Sequence, residues 1–242
     1  FKDVTDDLIC LGIFGPKSRE LLSKITNENL SNEKFKFGTS KNINIGSSKV
    51  WTQRLSYVGE LGYELYINKD NGKEIYDLIV ETGKNFGLTH CGAHTMDTMR
   101  MESGFLHWGH DISPEENQYQ AGLNFAISYK KSFDFIGKEK LLKIRGQKLD
   151  RRFIMLVLKD STPGKPLLLH EEPIYLDDKI IGKTTSGNYS FNYNKNLSFG
   201  YINSELTNEQ LVDKNLYIEI EKKKYLAELL AKPLKLHNFK NI

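Results

Sequence analysis

The pattern of predicted secondary structure changes at about residue 147. Before that point strand-like and helical stretches alternate, whereas afterwards short strand candidates follow one another with only turns between them. Short strands at such spacing are typical of a small β-barrel or sandwich. We therefore predict an α+β domain over residues 1–147 and a β domain over residues 148–242.

Hydrophobic periodicity locates the elements within these two domains. In the first domain it predicts strands at residues 7–14, 42–45, 49–57, 63–67 and 122–129, and helices following Pro16 and at 73–86, 92–102 and 137–144. In the second domain it predicts strands at 152–158, 172–176, 179–185, 197–202, 215–220 and 223–230, with turns at 177–178, 186–188 and 213–214.

Composition excludes several classes of protein. The 242 residues carry a net charge of +3, and only 6 of the 34 Lys and Arg residues are Arg, so the chain lacks the basic character of a nucleic-acid-binding protein. No apolar run approaches the roughly 18–20 residues that span a bilayer. Two cysteines are too few for a disulfide framework and favour a reducing compartment. We therefore predict a cytoplasmic protein that binds neither nucleic acid nor membranes.

The segment YVGELGYE at residues 57–64 is a candidate binding site. Two glycines lie between two predicted strands, with Tyr57 before the turn and Glu64 after it. Glycines let a ligand approach the backbone closely, and a carboxylate accepts parallel hydrogen bonds from a planar N–C–N donor pair. The alternative interpretation is a hairpin in which the Glu is solvated and the Tyr packs.

Two further segments carry polar side chains in patterns with more than one interpretation. In DTMRME at residues 97–102, Asp97 and Arg100 are i,i+3 neighbours on a predicted helix and can pair, or Arg100 can face a polar or anionic ligand. HWGHD at residues 107–111 follows His90, Cys91 and His94, but the spaced pairs typical of zinc sites are missing. We predict no metal site, and a metal-dependent hydrolase is the weakest hypothesis.

Six motifs together resemble the glycine-cleavage T-protein (aminomethyltransferase) family, in the family's order. They are FGPKS at 14–18, YVGELGYE at 57–64, DTMRME at 97–102, QAGL at 120–123, FIGKE at 135–139 and TSG at 185–187. HWGHD, followed by Ser113 and Pro114, resembles one branch in particular, the folate-binding C-terminal region of dimethylglycine and sarcosine dehydrogenases. The resemblance runs from about residue 7 to residue 234.

This resemblance implies a cloverleaf-like α+β fold with tetrahydrofolate in a central channel and a small C-terminal β-barrel. By match to the family's motifs, Glu64 recognises the pterin, Tyr57 lines the folate channel, and Arg100 and Phe125 lie at the folate site. The pterin 2-amino group and N3–H form the planar donor pair that a carboxylate accepts.

The implied reaction is one-carbon transfer. N5 of tetrahydrofolate attacks an iminium-like carbon derived from a small methylated amine or from a lipoyl-carried aminomethyl group. N10 closes the ring, the amine or ammonia leaves, and 5,10-methylenetetrahydrofolate results. No protein nucleophile is required, and the protein contributes orientation and electrostatics.

One departure from the family bears on catalysis. Family members carry a substantial N-terminal segment, including an Asp near the reacting nitrogen, to which nothing in this sequence aligns. The fold is therefore expected to be incomplete, the catalytic residue is unknown, and the chain is a fragment, one of two polypeptides or a non-catalytic module. No FAD fingerprint is present, so any oxidation belongs to an FAD-dependent portion in cis or in trans. The alternative function is a non-catalytic module that binds folate or docks a partner.

Overall fold

A computed structural model describes residues 1–203 and 205–235, and residue contacts divide the chain into two compact units. The first unit comprises residues 1–103 together with Lys235, and the second comprises residues 104–234. The domain boundary predicted at residues 147 and 148 stays a prediction. In the part of the chain that the structure describes, no helix is both long enough and apolar enough to cross a membrane.

The first unit is built on a four-stranded antiparallel sheet. The strands are β1 (Leu8–Phe14), β2 (Ser40–Ile45), β3 (Ser48–Gln53) and β4 (Gly62–Asn68), in the order β1-β4-β3-β2. The helices are α1 (Ser18–Leu22), α2 (Gly72–Gly83) and α3 (Ala93–Glu102). Ile75 and Ile79 of α2 belong to the same core as the buried face of β4.

Side-chain alternation along β4 separates a core face from an outer face. Tyr63, Leu65 and Ile67 are fully buried, whereas Glu64 and Tyr66 are only partly buried. Successive residues of a strand point to opposite faces, so the buried residues fix which side Glu64 occupies. The predicted strand 63–67 is therefore confirmed, and it presents Glu64 away from the core.

The second unit contains a closed six-stranded barrel. Its strands are β5 (Arg152–Leu158), β6 (Pro173–Leu176), β7 (Lys179–Ser190), β8 (Lys195–Ile202), β9 (Leu216–Ile220) and β10 (Lys223–Leu230), in the closed order β10-β5-β8-β7-β6-β9. Its helices are α4 (Lys138–Ile144) and α5 (Asn208–Val212). The predicted mixed α+β fold with a small β-barrel is confirmed.

Two local predictions were wrong, and one helix was not predicted. The turn predicted at 186–188 is the continuation of β7, where Gly187 lets the strand pass close to the backbone of Leu168. Residues 122–129 form no strand but contain a 3₁₀ turn, because Gly122 has a left-handed φ of 70°. Helix α5 was missed, although Thr207 begins it with a capping box.

Close packing in the barrel gives a test of the fold. A Cβ at Gly182 would lie 1.9 Å from the carbonyl oxygen of Tyr201 on the neighbouring strand. Because backbone cannot give way cheaply, we expect Gly182→Ala to lower the free energy of unfolding by about 1–3 kcal/mol, measured by denaturant titration. Ile180→Ala, at an exposed position of the same strand, is the control and should change it by less than about 0.5 kcal/mol. Equal stability of the two variants would contradict this packing.

Candidate functional site

Glu64 occupies the middle of the outer face of the first unit's sheet. It lies opposite Gly12 of β1 on one side and opposite Gln53 of β3 on the other. Its carboxylate accepts a hydrogen bond from the hydroxyl of Tyr66 at Oε2, at 2.8 Å. Among the residues that the structure describes, this is the one hydrogen bond that the carboxylate makes, so Oε1 is available to a ligand.

The hydrogen bond to Glu64 fixes the protonation state of Tyr66. The hydrogen bond to the carboxylate, followed by partial burial, raises the pKa of the Tyr66 hydroxyl far above its usual range. Tyr66 therefore stays protonated at any physiological pH and donates its proton to Glu64. A side chain that is held on one oxygen in this way presents the other oxygen in a defined direction.

Aromatic side chains share the face of the sheet that carries Glu64. A Cβ at Gly12 would lie 2.5 Å from the Phe14 ring, and one at Gly62 would lie 2.2 Å from it, so the ring covers both glycines beside Glu64. On the other side, the ring centroids of Trp51 and Tyr66 are 4.8 Å apart. We call the surface formed by Cys10, Phe14, Trp51, Gln53, Glu64 and Tyr66 the carboxylate face.

Sequence reasoning found Glu64 but missed Phe14, Trp51 and Tyr66. The signal for Tyr66 was present, because residues two apart in a strand share a face. Phe14 and Trp51 lie in other strands and reach this face only through the register of β1 and β3 against β4. That register could not be read from one strand alone.

Cys10 lies on the carboxylate face, directly opposite Tyr66. Partial burial and then the negative charge of Glu64 raise the pKa of its thiol, which lowers its thiolate fraction at neutral pH. Together with Cys91 it is a free and exposed cysteine. Cys10 lies in an apolar stretch of the sequence, yet its side chain is exposed on this face.

Tyr57 lies in the loop of residues 56–61 that leads into β4. Gly59 within this loop has a φ of 69°, and a Cβ there would lie 2.0 Å from Oγ of Ser103. Glycine is therefore required both by the backbone conformation and by the close approach to the end of α3. The loop that carries Tyr57 is thereby packed against the end of the helix that carries Arg100.

Arg100 is buried in the last turn of α3, with 1% of its surface exposed. Its Nε donates to Oδ1 of Asp97 at 2.8 Å, and its Nη2 lies 2.7 Å from the same oxygen. The pairing predicted from the i,i+3 spacing is confirmed, and it is a buried rather than a surface ion pair. Tyr57, Glu64 and Arg100 therefore lie on neighbouring elements of one unit.

Phe125 lies in the second unit, in the 3₁₀ turn of residues 124–126, and 81% of its surface is exposed. Single exposed apolar side chains are common on protein surfaces, so exposure alone assigns no role to Phe125. The assignments of Tyr57, Glu64, Arg100 and Phe125 to a folate site all stay predictions at this point.

The HWGHD segment is organised around its Asp. Asp111 is buried and accepts hydrogen bonds from the hydroxyls of Thr185 and Ser186 and from the backbone N–H of His107. It therefore ties this loop to β7. Within residues 1–203 and 205–235, no three or more His, Cys, Asp or Glu side chains are arranged to hold a metal ion.

Comparison with known proteins gives consistent matches along the chain. Residues 1–131 match the GCVT N-terminal domain, and residues 151–235 match the glycine cleavage T-protein C-terminal barrel domain. The chain is 35% identical to human mitochondrial dimethylglycine dehydrogenase over 96% of its own length and 26% of that protein's. It is 30% identical to an aminomethyltransferase of Geobacillus sp. (strain WCH70), over 96% of its own length and 61% of that protein's.

A solved structure agrees in fold. The glycine cleavage system aminomethyltransferase T from Bartonella henselae superposes with a TM-score of 0.79 at 17% identity, over 95% of this chain and 60% of the other. The chain thus spans about a quarter of the length of the dehydrogenase and about three fifths of the aminomethyltransferase from Geobacillus. With the two domain matches in their order, these findings show that the chain belongs to the glycine cleavage T-protein family.

Proposed function

We propose that this chain is the tetrahydrofolate-binding part of an enzyme that transfers a one-carbon unit to folate. The observation that carries the proposal is the Glu64 carboxylate, which is held by Tyr66 on one oxygen and shares its face of the sheet with the stacked rings of Trp51 and Tyr66. Tetrahydrofolate supplies the nitrogen atoms that accept the one-carbon unit. Dimethylglycine dehydrogenases and aminomethyltransferases are among its relatives.

The chemistry of the carboxylate face fits the pterin end of folate. A pterin offers two parallel N–H donors in one plane, which match the two oxygens of a carboxylate. Each carboxylate oxygen has two lone-pair sites, so Oε2 can accept from a ligand as well as from Tyr66. Its flat ring suits a surface lined by Phe14, Trp51 and Tyr66, because aromatic rings stack in offset geometry. Glu64 binds and orients the ligand in this proposal and takes no part in proton transfer.

Three other residues complete the proposed folate site. Tyr57, in the loop of residues 56–61, and Arg100, on α3, line the channel, and Phe125 is included because of its match to the family's motifs. The buried ion pair with Asp97 fixes the position of the Arg100 guanidinium. A positioned cation and fixed rings orient a ligand without having to reorganise on binding.

The remaining parts of the reaction are also proposals. The one-carbon donor is a small methylated amine or a lipoyl-carried aminomethyl group, and an FAD-dependent portion supplies any oxidation. The proposed transfer needs no protein nucleophile, because the protein's part is to orient the reactants. The cytoplasmic location stays a prediction.

The Glu64 assignment is tested by calorimetric titration with tetrahydrofolate. Glu64→Gln keeps the size of the side chain but removes its charge and one acceptor oxygen. A hydrogen bond to a charged group contributes about 1.5–3 kcal/mol, so we expect the Kd to rise at least about tenfold.

Glu219→Gln is the matched control for this titration. Glu219 accepts a hydrogen bond from the Tyr175 hydroxyl at 2.7 Å on the barrel, the same arrangement at a position outside the proposed site. This variant should bind as the parent chain does. Equal affinities of the parent and the Glu64 variant, or no binding by the parent, would contradict the proposal.

Cys10 provides an independent probe of the same face. Because the charge of Glu64 raises the pKa of the Cys10 thiol, Glu64→Gln should lower that pKa and increase the rate of alkylation by iodoacetamide at pH 8. Bound tetrahydrofolate should slow alkylation of Cys10 in the parent chain. Cys91, which is also exposed, is the internal reference and should react at one rate throughout, as followed by mass spectrometry of the peptides. Failure of folate to protect Cys10 would argue against binding on this face.

A further inference from the structure

Lys235 belongs to the first unit, although it lies far along the chain. It follows the last barrel strand, β10, yet its contacts are with residues 1–103. Its backbone N–H donates to the carbonyl oxygen of Glu102, the last residue of α3, at 2.9 Å. Lys235 is thus bound to the end of the helix that carries Arg100.

The side chain of Lys235 contacts the loop of residues 56–61. Its ammonium group forms an ion pair with Oε1 of Glu60. Only 18% of the Lys235 side chain and 27% of the Glu60 side chain are exposed, so salt screens this pair less than it screens a pair on the open surface. Lys235 therefore connects the loop that carries Tyr57 with the helix that carries Arg100.

The aliphatic part of the same side chain packs beside Gly59. A Cβ at Gly59 would lie 3.3 Å from Cδ of Lys235 and 2.0 Å from Oγ of Ser103. The backbone of Gly59 is therefore close both to the lysine stem and to the end of α3. We call the contact of the loop of residues 56–61 with Glu102, Ser103 and Lys235 the loop junction.

The loop junction includes a polar group that is not satisfied. Ser103 is buried, and its hydroxyl has no hydrogen-bond partner among the residues that the structure describes. A buried hydroxyl without a partner costs free energy. Other contacts must offset this cost to keep the loop packed on the helix end, and the ion pair of Lys235 is one of them.

We propose that Lys235 is a positioning residue for the proposed folate site, because it holds the loop of Tyr57 in place relative to Arg100. This inference rests on the proposed function. Lys235 does not contact the ligand in this proposal, since its ammonium group is paired with Glu60. A ligand that contacts both elements restricts less of the protein's conformational freedom when the two are already held together. Folate affinity therefore depends on a side chain outside the folate site.

Calorimetric titration of the full chain with tetrahydrofolate tests this role. Lys235→Met removes the charge but keeps a long stem beside Gly59. We expect the Kd to rise about fivefold, because the ligand must then order the loop itself. Lys235→Arg keeps a cation that can pair with Glu60 and should bind within about twofold of the parent chain.

Hydrogen exchange measured without ligand reports on the loop directly. The amides of residues 56–61 should exchange faster in Lys235→Met than in the parent chain, because local opening of the loop becomes less costly. The amides of β4 should exchange at an unchanged rate. An effect confined to the loop distinguishes positioning from a general loss of stability, which would speed exchange in the strand as well.

Lys224→Met is the matched control for both measurements. Lys224 forms an ion pair with Asp178 at 3.0 Å in the second unit. Its loss should change neither the Kd nor the exchange of residues 56–61. Glu60→Gln removes the other partner of the Lys235 pair, and combining it with Lys235→Met should add little, since each change removes the same interaction.

The outcomes separate this inference from the proposed function. If the parent chain and Lys235→Met bind tetrahydrofolate equally, or if Lys224→Met weakens binding as much, Lys235 does not position the site. If Lys235→Met speeds exchange in β4 as well and Lys235→Arg does not restore affinity, the role of Lys235 is general stability and the inference fails. Effects of Glu60→Gln and Lys235→Met that add in full would also overturn it. If the parent chain binds no tetrahydrofolate, the proposed function itself fails and this inference fails with it.

Discussion

The register of β4 between β1 and β3 is the constraint on which the candidate site depends. Tyr63, Leu65 and Ile67 fill the core, so Glu64 and Tyr66 must face outwards. A slip of one residue would bury the carboxylate and expose three apolar side chains, which is strongly unfavourable. The hydrophobic core thus sets the direction of a polar side chain that takes no part in it.

Three glycines allow close packing on and beside the carboxylate face. Gly12 and Gly62 leave room for the Phe14 ring, and Gly59 lets the loop that carries Tyr57 approach Ser103. An alanine at any of these positions would displace a ring or a helix end rather than fill a void. The glycines of the YVGELGYE motif are therefore explained by packing within the protein itself.

The sequence was sufficient for elements whose evidence is local. The alternation of apolar and polar residues predicted β4, and the helical spacing of apolar residues predicted α2. The i,i+3 spacing of Asp97 and Arg100 allowed the ion pair that the structure contains. The sequence was insufficient where one residue type occurs in two kinds of structure, as glycine does in turns and at close contacts within strands. Gly187 was interpreted as a turn residue, but it lies within β7 against the backbone of Leu168, a contact distant in sequence. Phe14 and Trp51 join Glu64 only through strand pairing, which a single sequence does not give.

The carboxylate face also selects which chemical groups can bind there. Tyr66 donates to Oε2 of Glu64, so the face offers carboxylate acceptor capacity that the protein itself leaves unused at Oε1. A ligand that presented a carboxylate here would oppose like charges, whereas a planar pair of N–H donors would meet an acceptor on the same face as the rings of Trp51 and Tyr66. One oriented carboxylate can therefore discriminate between the ends of a polar ligand, even in a chain whose net charge is only +3.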